Sequence, residues 1–165
     1  MERPPPHLAQ HLIRRATVEE SALLTDLAFR AKAYWGYPPS VMEGWYDILS
    51  VPPELIRNHP VYLLEDNGRV CGYYSLEHPD GDQIILENLF IDPEFIGAGV
   101  GRALLEHALA LAASLGYKTV YLESDPHAEG FYLRMGAVRI GEHPAPIPGQ
   151  PKRVLPKMRI DLKES

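Results

Sequence analysis

Cysteine is almost missing from this chain: Cys71 is the only one among 165 residues. That excludes a disulfide within the chain and a thiolate metal cluster, and Cys71, set in an apolar stretch, reads as a small core residue. Positive charge is also scarce. Lys and Arg number 16 against 22 Asp and Glu, a formal net charge of −6. With no basic stripe, a nucleic-acid surface is not expected. Long hydrophobic runs are absent, and nothing approaches the roughly 20 apolar residues that span a bilayer. The segment 1–10 has three consecutive prolines and no apolar core. It reads as a flexible proline-rich tail, not a signal or transit peptide, which points to the cytoplasm. The seven histidines lie at unrelated spacings and suggest no metal site. His107, among Leu104, Leu105, Ala108 and Leu111, reads as structural or exposed.

What remains is enough for one domain over residues 11–165, since 45% of the chain is hydrophobic and the length suffices to bury a core. His11 to Ala16 reads as a first strand. Thr17 and Glu20 form a capping box, and Ala22, Leu23, Leu27 and Ala31 recur at helical spacing, which predicts a helix over 18–33. Residues 34–39 break it. Ser40 is expected to cap a second helix over 41–49, and Pro52-Pro53-Glu54 to start a further short turn. An antiparallel meander comes next, with strands 61–66, 69–78 and 83–92 joined by the turns Asp66-Asn67-Gly68 and Pro79-Asp80-Gly81-Asp82. A helix over 100–115 ends at the cap Gly116 and leads to a strand over 118–123. A short helix over 127–135, a strand near 137–142, a proline-rich connection over 144–156 and a last strand over 158–162 complete an α+β fold with a mixed, mostly antiparallel sheet.

The most informative stretch joins the third meander strand to the helix after it. It reads Leu89-Phe90-Ile91-Asp92-Pro93-Glu94-Phe95-Ile96-Gly97-Ala98-Gly99-Val100-Gly101-Arg102. Glycines at alternate positions let backbone approach a ligand, and the helix behind them directs its partly positive N-terminus to the same place. This is a phosphate cradle, and a pyrophosphate is the first ligand it suggests. A dinucleotide fingerprint needs a third glycine where this chain has Arg102 or Leu104. Glu123, at the ribose-binding distance downstream, keeps that alternative open. A P-loop fails because the glycines lead to no Lys-Ser or Lys-Thr.

The run Ile96-Gly97-Ala98-Gly99-Val100-Gly101 resembles the acyl-CoA loop of the GNAT acetyltransferases, although Ile96 stands where that family usually has Gln or Arg. Ser124-Asp125-Pro126-His127-Ala128-Glu129-Gly130-Phe131-Tyr132-Leu133-Arg134-Met135-Gly136-Ala137 resembles the same family's second motif, in the family's order and spacing. The resemblance extends more loosely over residues 12–142. It implies a three-layer GNAT-like fold in which the strands at 87–92 and 118–124 start side by side and splay apart. The pantetheine arm of acetyl-CoA would then lie along the backbone of Leu89, Phe90 and Ile91 like an added strand.

It further implies direct attack of an amine on the acetyl thioester, without a metal or an acyl-enzyme. Tyr132 would be the general acid, and a backbone N–H near Phe90 the oxyanion donor. For the base, Glu87 leads, with Glu123, His127 or ordered water as alternatives. Gly97, Ala98, Gly99, Val100, Gly101 and Arg102 would hold the phosphates, though Arg102 and Arg134 also read as solvated helix charges. Asp125 would touch the pantetheine arm, cap its helix, or both. Trp35 and Tyr37 would line the acceptor site. The expected activity is N-acetyl transfer from acetyl-CoA to a small-molecule or peptide amine, with neither nucleic acid nor membrane as partner. A homodimer is compatible with the family. A non-catalytic acyl-CoA binding module and a dinucleotide-dependent enzyme stand as alternatives.

Overall fold

The computed structural model describes residues 7–78 and 83–163, arranged as two compact units. One runs through Leu76 and resumes over Asn88–His107. The other comprises Glu77–Glu87 and the chain from Ala108 onward. The expected turn at 79–82 and the first six residues of the expected tail lie outside the described residues.

In the first unit the strands run in the order β1 (His11–Arg15), β2 (Val61–Asp66), β3 (Arg69–Glu77) and the second half of β4 (Ile84–Ile91). Ile13 faces Leu64 and Tyr62 faces Tyr74, both in antiparallel pairs. The β2–β3 connection is a two-residue turn because Asn67 and Gly68 both take positive φ, 51° and 82°, the geometry that matches strand twist in a tight hairpin. Buried Asp66 accepts the N–H groups of Ala9 and Gln10 at 3.2 and 2.7 Å, so the end of the proline-rich segment is tied to β2.

The helical part of this unit is set by its caps. Glu20 accepts the Thr17 N–H at 2.9 Å, closing a 3₁₀ turn over Val18–Glu20 ahead of α1 (Ser21–Ala33). The buried stripe of α1 is Leu24, Leu27, Ala28 and Ala31. Ala22 and Leu23 are exposed, which corrects the expected stripe: Leu24 gives the unbroken i, i+3, i+4, i+7 series that Leu23 cannot. The expected helix over 41–49 is two short ones, α2 (Pro39–Gly44) and α3 (Tyr46–Leu49), and Ser40 lies inside α2 instead of capping it. Pro39 at the first helical position has its φ preset and no N–H to leave unpaired, so it starts the helix ahead of Ser40. Pro53 does the same for α4 (Pro53–Asn58).

The second unit holds the first half of β4, then β5 (Thr119–Glu123), β7 (Val154–Asp161) and β6 (Val138–Pro144) in that order. β4 and β5 pair in parallel at Ile84–Val120 and Ile85–Tyr121, while β7 pairs antiparallel with both β5 and β6. Its core includes Ile84, Leu86, Ala112, Val120, Leu122, Met158 and Ile160. β7 begins at Val154, earlier than the expected 158, because Val154 and Leu155 continue the ladder opposite Pro144 and His143. α5 (Val100–Ser114) ends as expected at Gly116, whose φ is +95°; Tyr117 N–H reaches back to the Ala112 carbonyl at 3.1 Å, closing the helix end. A 3₁₀ turn over Pro126–Ala128 precedes α6 (Glu129–Arg134). Among the described residues no helix is long and apolar enough to cross a membrane, and the α+β class read from the sequence holds.

Candidate active site

The cradle lies in the first unit. Gly97 and Gly99 have φ of +91° and +86°, a backbone conformation that residues with a Cβ rarely adopt. A Cβ built on either would meet nothing within 4 Å. These glycines are therefore demanded by backbone conformation and not by crowding from the protein, and the space in front of them is open. The first intrahelical bond of α5 runs from Ala103 N–H to the Gly99 carbonyl at 3.0 Å, so helix geometry leaves the N–H groups of Val100, Gly101 and Arg102 pointing out of the N-terminus without an intrahelical acceptor. Gly101 sits within this first turn. A loop of this form fits the diphosphate of an acyl-CoA, since open space, outward amides and the positive end of a long helix converge. The Arg102 side chain is exposed and pairs with Glu106 at 2.9 Å.

Two supports of the cradle are not legible in the sequence. Gly72 in β3 is the first: a Cβ there would lie 2.8 Å from the Phe90 carbonyl oxygen and 3.0 Å from both Val100 Cγ1 and Leu104 Cδ1. Its missing side chain lets β4 and the start of α5 close on β3. The second is a brace around Asp92, which is 2% exposed. Asp92 Oδ1 accepts Glu94 N–H at 3.0 Å and Oδ2 accepts Arg30 Nη1 at 2.9 Å, while Arg69 Nη2 stands 3.6 Å away. Arg69 also pairs with Glu94 and covers the Phe95 ring, 5.0 Å from its centroid. Two arginines distant in sequence thus hold the turn between β4 and the glycines. A lone Asp before a Pro suggests a cap, but nothing local reveals Arg30 as its partner.

Leu89, Phe90 and Ile91 are half-buried on β4. Trp35 is 40% exposed, whereas Tyr37 is 6% exposed, packed edge-on against Trp45 at 4.8 Å with the Lys32 ammonium 5.4 Å from its ring centroid. Of the two expected acceptor residues, Trp35 is the one that presents a surface. Cys71 is buried and its thiol is pushed up to about 11 by burial, in keeping with a core residue. His107 is also structural: its Nδ1 is 2.7 Å from the Tyr74 hydroxyl and its ring lies 4.8 Å from that of Tyr62.

The titratable residues of the expected chemistry lie in the second unit. Tyr132 is 7% exposed, and burial raises its phenol above the usual tyrosine range, which makes it a weaker acid than a free tyrosine. Glu87 is an exposed residue of β4, and its carboxyl is raised first by desolvation, then by the neighbouring Glu77 carboxylate and by Glu123. Glu77 and Glu123 thus both act on Glu87, and Glu123 also contacts His143 Nδ1 at 3.2 Å. Asp125 Oδ1 accepts His127 N–H at 2.8 Å and contacts His127 Nδ1 at 2.8 Å, so both residues are engaged in opening the turn before α6. Buried Arg153, from the proline-rich connection, donates to the Ala145 carbonyl at 3.0 Å and places Nη2 3.6 Å from Asp125 Oδ2. Among the described residues no three His, Cys, Asp or Glu side chains gather as a metal-holding group.

Comparison with known proteins agrees with this geometry. A model of the acetyltransferase (GNAT) family matches residues 22–137. The peptidyl-lysine N-acetyltransferase YjaB of Escherichia coli is 47% identical over 51 residues, which cover 31% of this chain and 33% of that protein. An uncharacterized N-acetyltransferase of Mycobacterium tuberculosis is 31% identical over 87 residues, covering 47% and 56% respectively. The chain thus spans between about a third and just over half the length of these curated relatives. Among solved structures, a GCN5-related N-acetyltransferase from Rhodopseudomonas palustris superposes with a TM-score of 0.78 at 19% identity, over 96% of this chain and 100% of that one. The PaiA N-acetyltransferase of Thermoplasma acidophilum, solved with coenzyme A, gives 0.76 at 16% identity over 93% and 99%. These structural likenesses are of fold.

Proposed function

The chain belongs to the acetyltransferase (GNAT) family, and on that premise we propose that it is an N-acetyltransferase that uses acetyl-CoA to acetylate an amine of a small molecule or peptide. The observation that carries this reading is the cradle: left-handed Gly97 and Gly99 opening onto free space ahead of the first-turn amides of α5. Bound acetyl-CoA supplies the activated acetyl group. The cradle amides from Gly97 to Arg102 hold its phosphates, and the backbone of Leu89–Ile91 aligns the pantetheine arm, with an N–H near Phe90 as oxyanion donor. Glu87 takes the proton from the acceptor amine. Its proton affinity is raised, first by desolvation and then by Glu77 and Glu123, the direction that favours a general base. Tyr132, a phenol that is protonated at neutral pH, donates to the departing thiolate, its burial making it a weaker acid than a free tyrosine, and Asp125 holds the pantetheine arm while it caps its turn.

Trp35 flanks the acceptor. The Glu77, Glu87 and Glu123 carboxylates favour a cationic amine, and a lysine side chain is one such acceptor, as in the name of the Escherichia coli relative. Exposed Val138 and Ile140 on β6 favour a homodimer, to be checked by light scattering. The reading as a whole is tested by a thermal-shift titration with acetyl-CoA, CoA, NAD and FAD, and then an amine screen for thiol release. A ligand of the native state raises the melting temperature by mass action. A shift with acetyl-CoA and turnover with an amine is expected. A shift with NAD or FAD alone would overturn the reading, and an acetyl-CoA shift that no amine converts to turnover would favour a non-catalytic binding module.

A further inference from the structure

Asp92 ends β4 and begins the turn that leads to Gly97, and a carboxylate buried there is costly unless it is paired and hydrogen-bonded. Its amide and both carboxylate oxygens are committed to local geometry. Its N–H donates to the Cys71 carbonyl at 2.8 Å, which fixes the end of β4 to β3. Oδ1 accepts Glu94 N–H and fixes the first bend of the 3₁₀ turn over Pro93–Phe95. Oδ2 receives Arg30 Nη1 at 2.9 Å. Arg30 is itself oriented, because its Nε donates to Asp26 Oδ2 at 2.8 Å one turn back along α1. The guanidinium is therefore gripped from its own helix and aimed at the start of the cradle.

Resting on the reading of the cradle as the acetyl-CoA site, we propose that Arg30 is a positioning residue for acetyl-CoA binding. Through Asp92 it sets the path of the turn over 93–95, and so the direction in which the amides of Gly97 to Arg102 point. Arg30 acts from α1 and through another residue, so its role is geometric. Without it, the cation left beside Asp92 among the described residues is Arg69 at 3.6 Å, and the carboxylate has reason to turn outward to water, taking the Glu94 cap with it. Arg14 offers an internal comparison. It is an equally well paired arginine, bonded to Glu20 at 2.9 Å and Glu65 at 3.3 Å, but on β1, with β2 and β3 between it and β4 in the strand order.

The test is titration calorimetry of the full chain with coenzyme A, which needs no acceptor, at a temperature where circular dichroism shows every variant folded. Arg30→Ala and Asp92→Asn are expected to weaken CoA binding about tenfold or more, equivalent to about 1.4 kcal/mol. Arg30→Lys is expected to recover part of it, since an ammonium reaches Asp92 but cannot also hold Asp26 as the fork does. Arg14→Ala is expected to lower the melting temperature and leave CoA affinity unchanged. CoA affinity of Arg30→Ala within twofold of the parent, or an equal loss in Arg14→Ala, overturns the proposal while the acetyl-CoA reading stands. Failure of the parent to bind CoA overturns both. Should Arg30→Ala not fold, Asp92→Asn decides by the same criterion, because it retains an oxygen for Glu94 N–H and removes only the charge.

Discussion

Two Asp-Pro pairs, one in each unit, end β4 and β5 in nearly the same way. Asp92 caps the turn over Pro93–Phe95 by accepting Glu94 N–H at 3.0 Å, and Asp125 caps the turn over Pro126–Ala128 by accepting His127 N–H at 2.8 Å. Each has its other oxygen near an arginine from far along the chain, Arg30 at 2.9 Å in one case and Arg153 at 3.6 Å in the other. The residues beyond the two turns differ. After Asp92 come glycines whose contribution is backbone, whereas Asp125 leads to α6, where Tyr132 contributes a side chain with a displaced proton affinity. The same turn thus leads in one case to left-handed glycines and in the other to a helix with a buried phenol, and on the reading proposed above these serve as an anion cradle and a proton donor.

The difference is open to direct attack. Gly99→Glu is expected to abolish acetyl-CoA binding, a loss of at least about 100-fold, because it forces a side chain into a left-handed position and sets a carboxylate where phosphate would lie; a Gly99→Glu protein that still shows the thermal shift would unseat the cradle. Tyr132→Phe should lower kcat about 100-fold, in the range for loss of a general acid, and leave CoA affinity near that of the parent, as measured by steady-state kinetics and calorimetry. Gly72→Ala is expected to destabilise the fold by about 2 kcal/mol through overpacking. Its Cβ meets the Phe90 carbonyl, backbone that cannot swing aside, and denaturant melts would detect the change.

The smallest effect concerns pH. Burial lowers the His107 pKa below its ordinary 6.5, so in the window beneath 6.5 the unfolded chain binds more protons than the folded one. The stability tied to neutral His107 is present above pH 6.5 and is lost as pH falls through the lowered folded value. His107→Gln should flatten that part of the melting-temperature profile, and an unchanged profile would show that the imidazole does not titrate this way. Glu20 acts further down the scale. Hydrogen bonding to Arg14 brings its carboxyl to about 2, and this contribution is present above the ordinary 4.5 and disappears as pH falls through about 2.

Much of this architecture is written in short-range patterns. The Thr17–Glu20 box, the Asn67-Gly68 turn, the cap at Gly116 and the glycine run after β4 are each decided by steric limits on a few neighbouring residues, and each appears where the pattern places it. Elsewhere the pattern puts Leu23 in the stripe of α1 and Ser40 at the start of the next helix, whereas packing buries Leu24 and proline geometry starts α2 at Pro39. Gly72 gave no signal, because a glycine inside a strand does not announce which carbonyl will approach it.

The chain read in order therefore points to an anionic ligand, since backbone conformation at Gly97 and Gly99 and the periodicity of the helix behind them are properties of consecutive residues, and the two motifs over 96–101 and 124–137 carry the resemblance to the family. The pairing of Asp92 with Arg30, of Asp125 with Arg153, and the effect of Glu77 and Glu123 on Glu87 needed the folded chain. Electrostatic and hydrogen-bonding partners act across a few ångströms of space, and separation along the sequence carries no record of that distance until the strands and helices have come together.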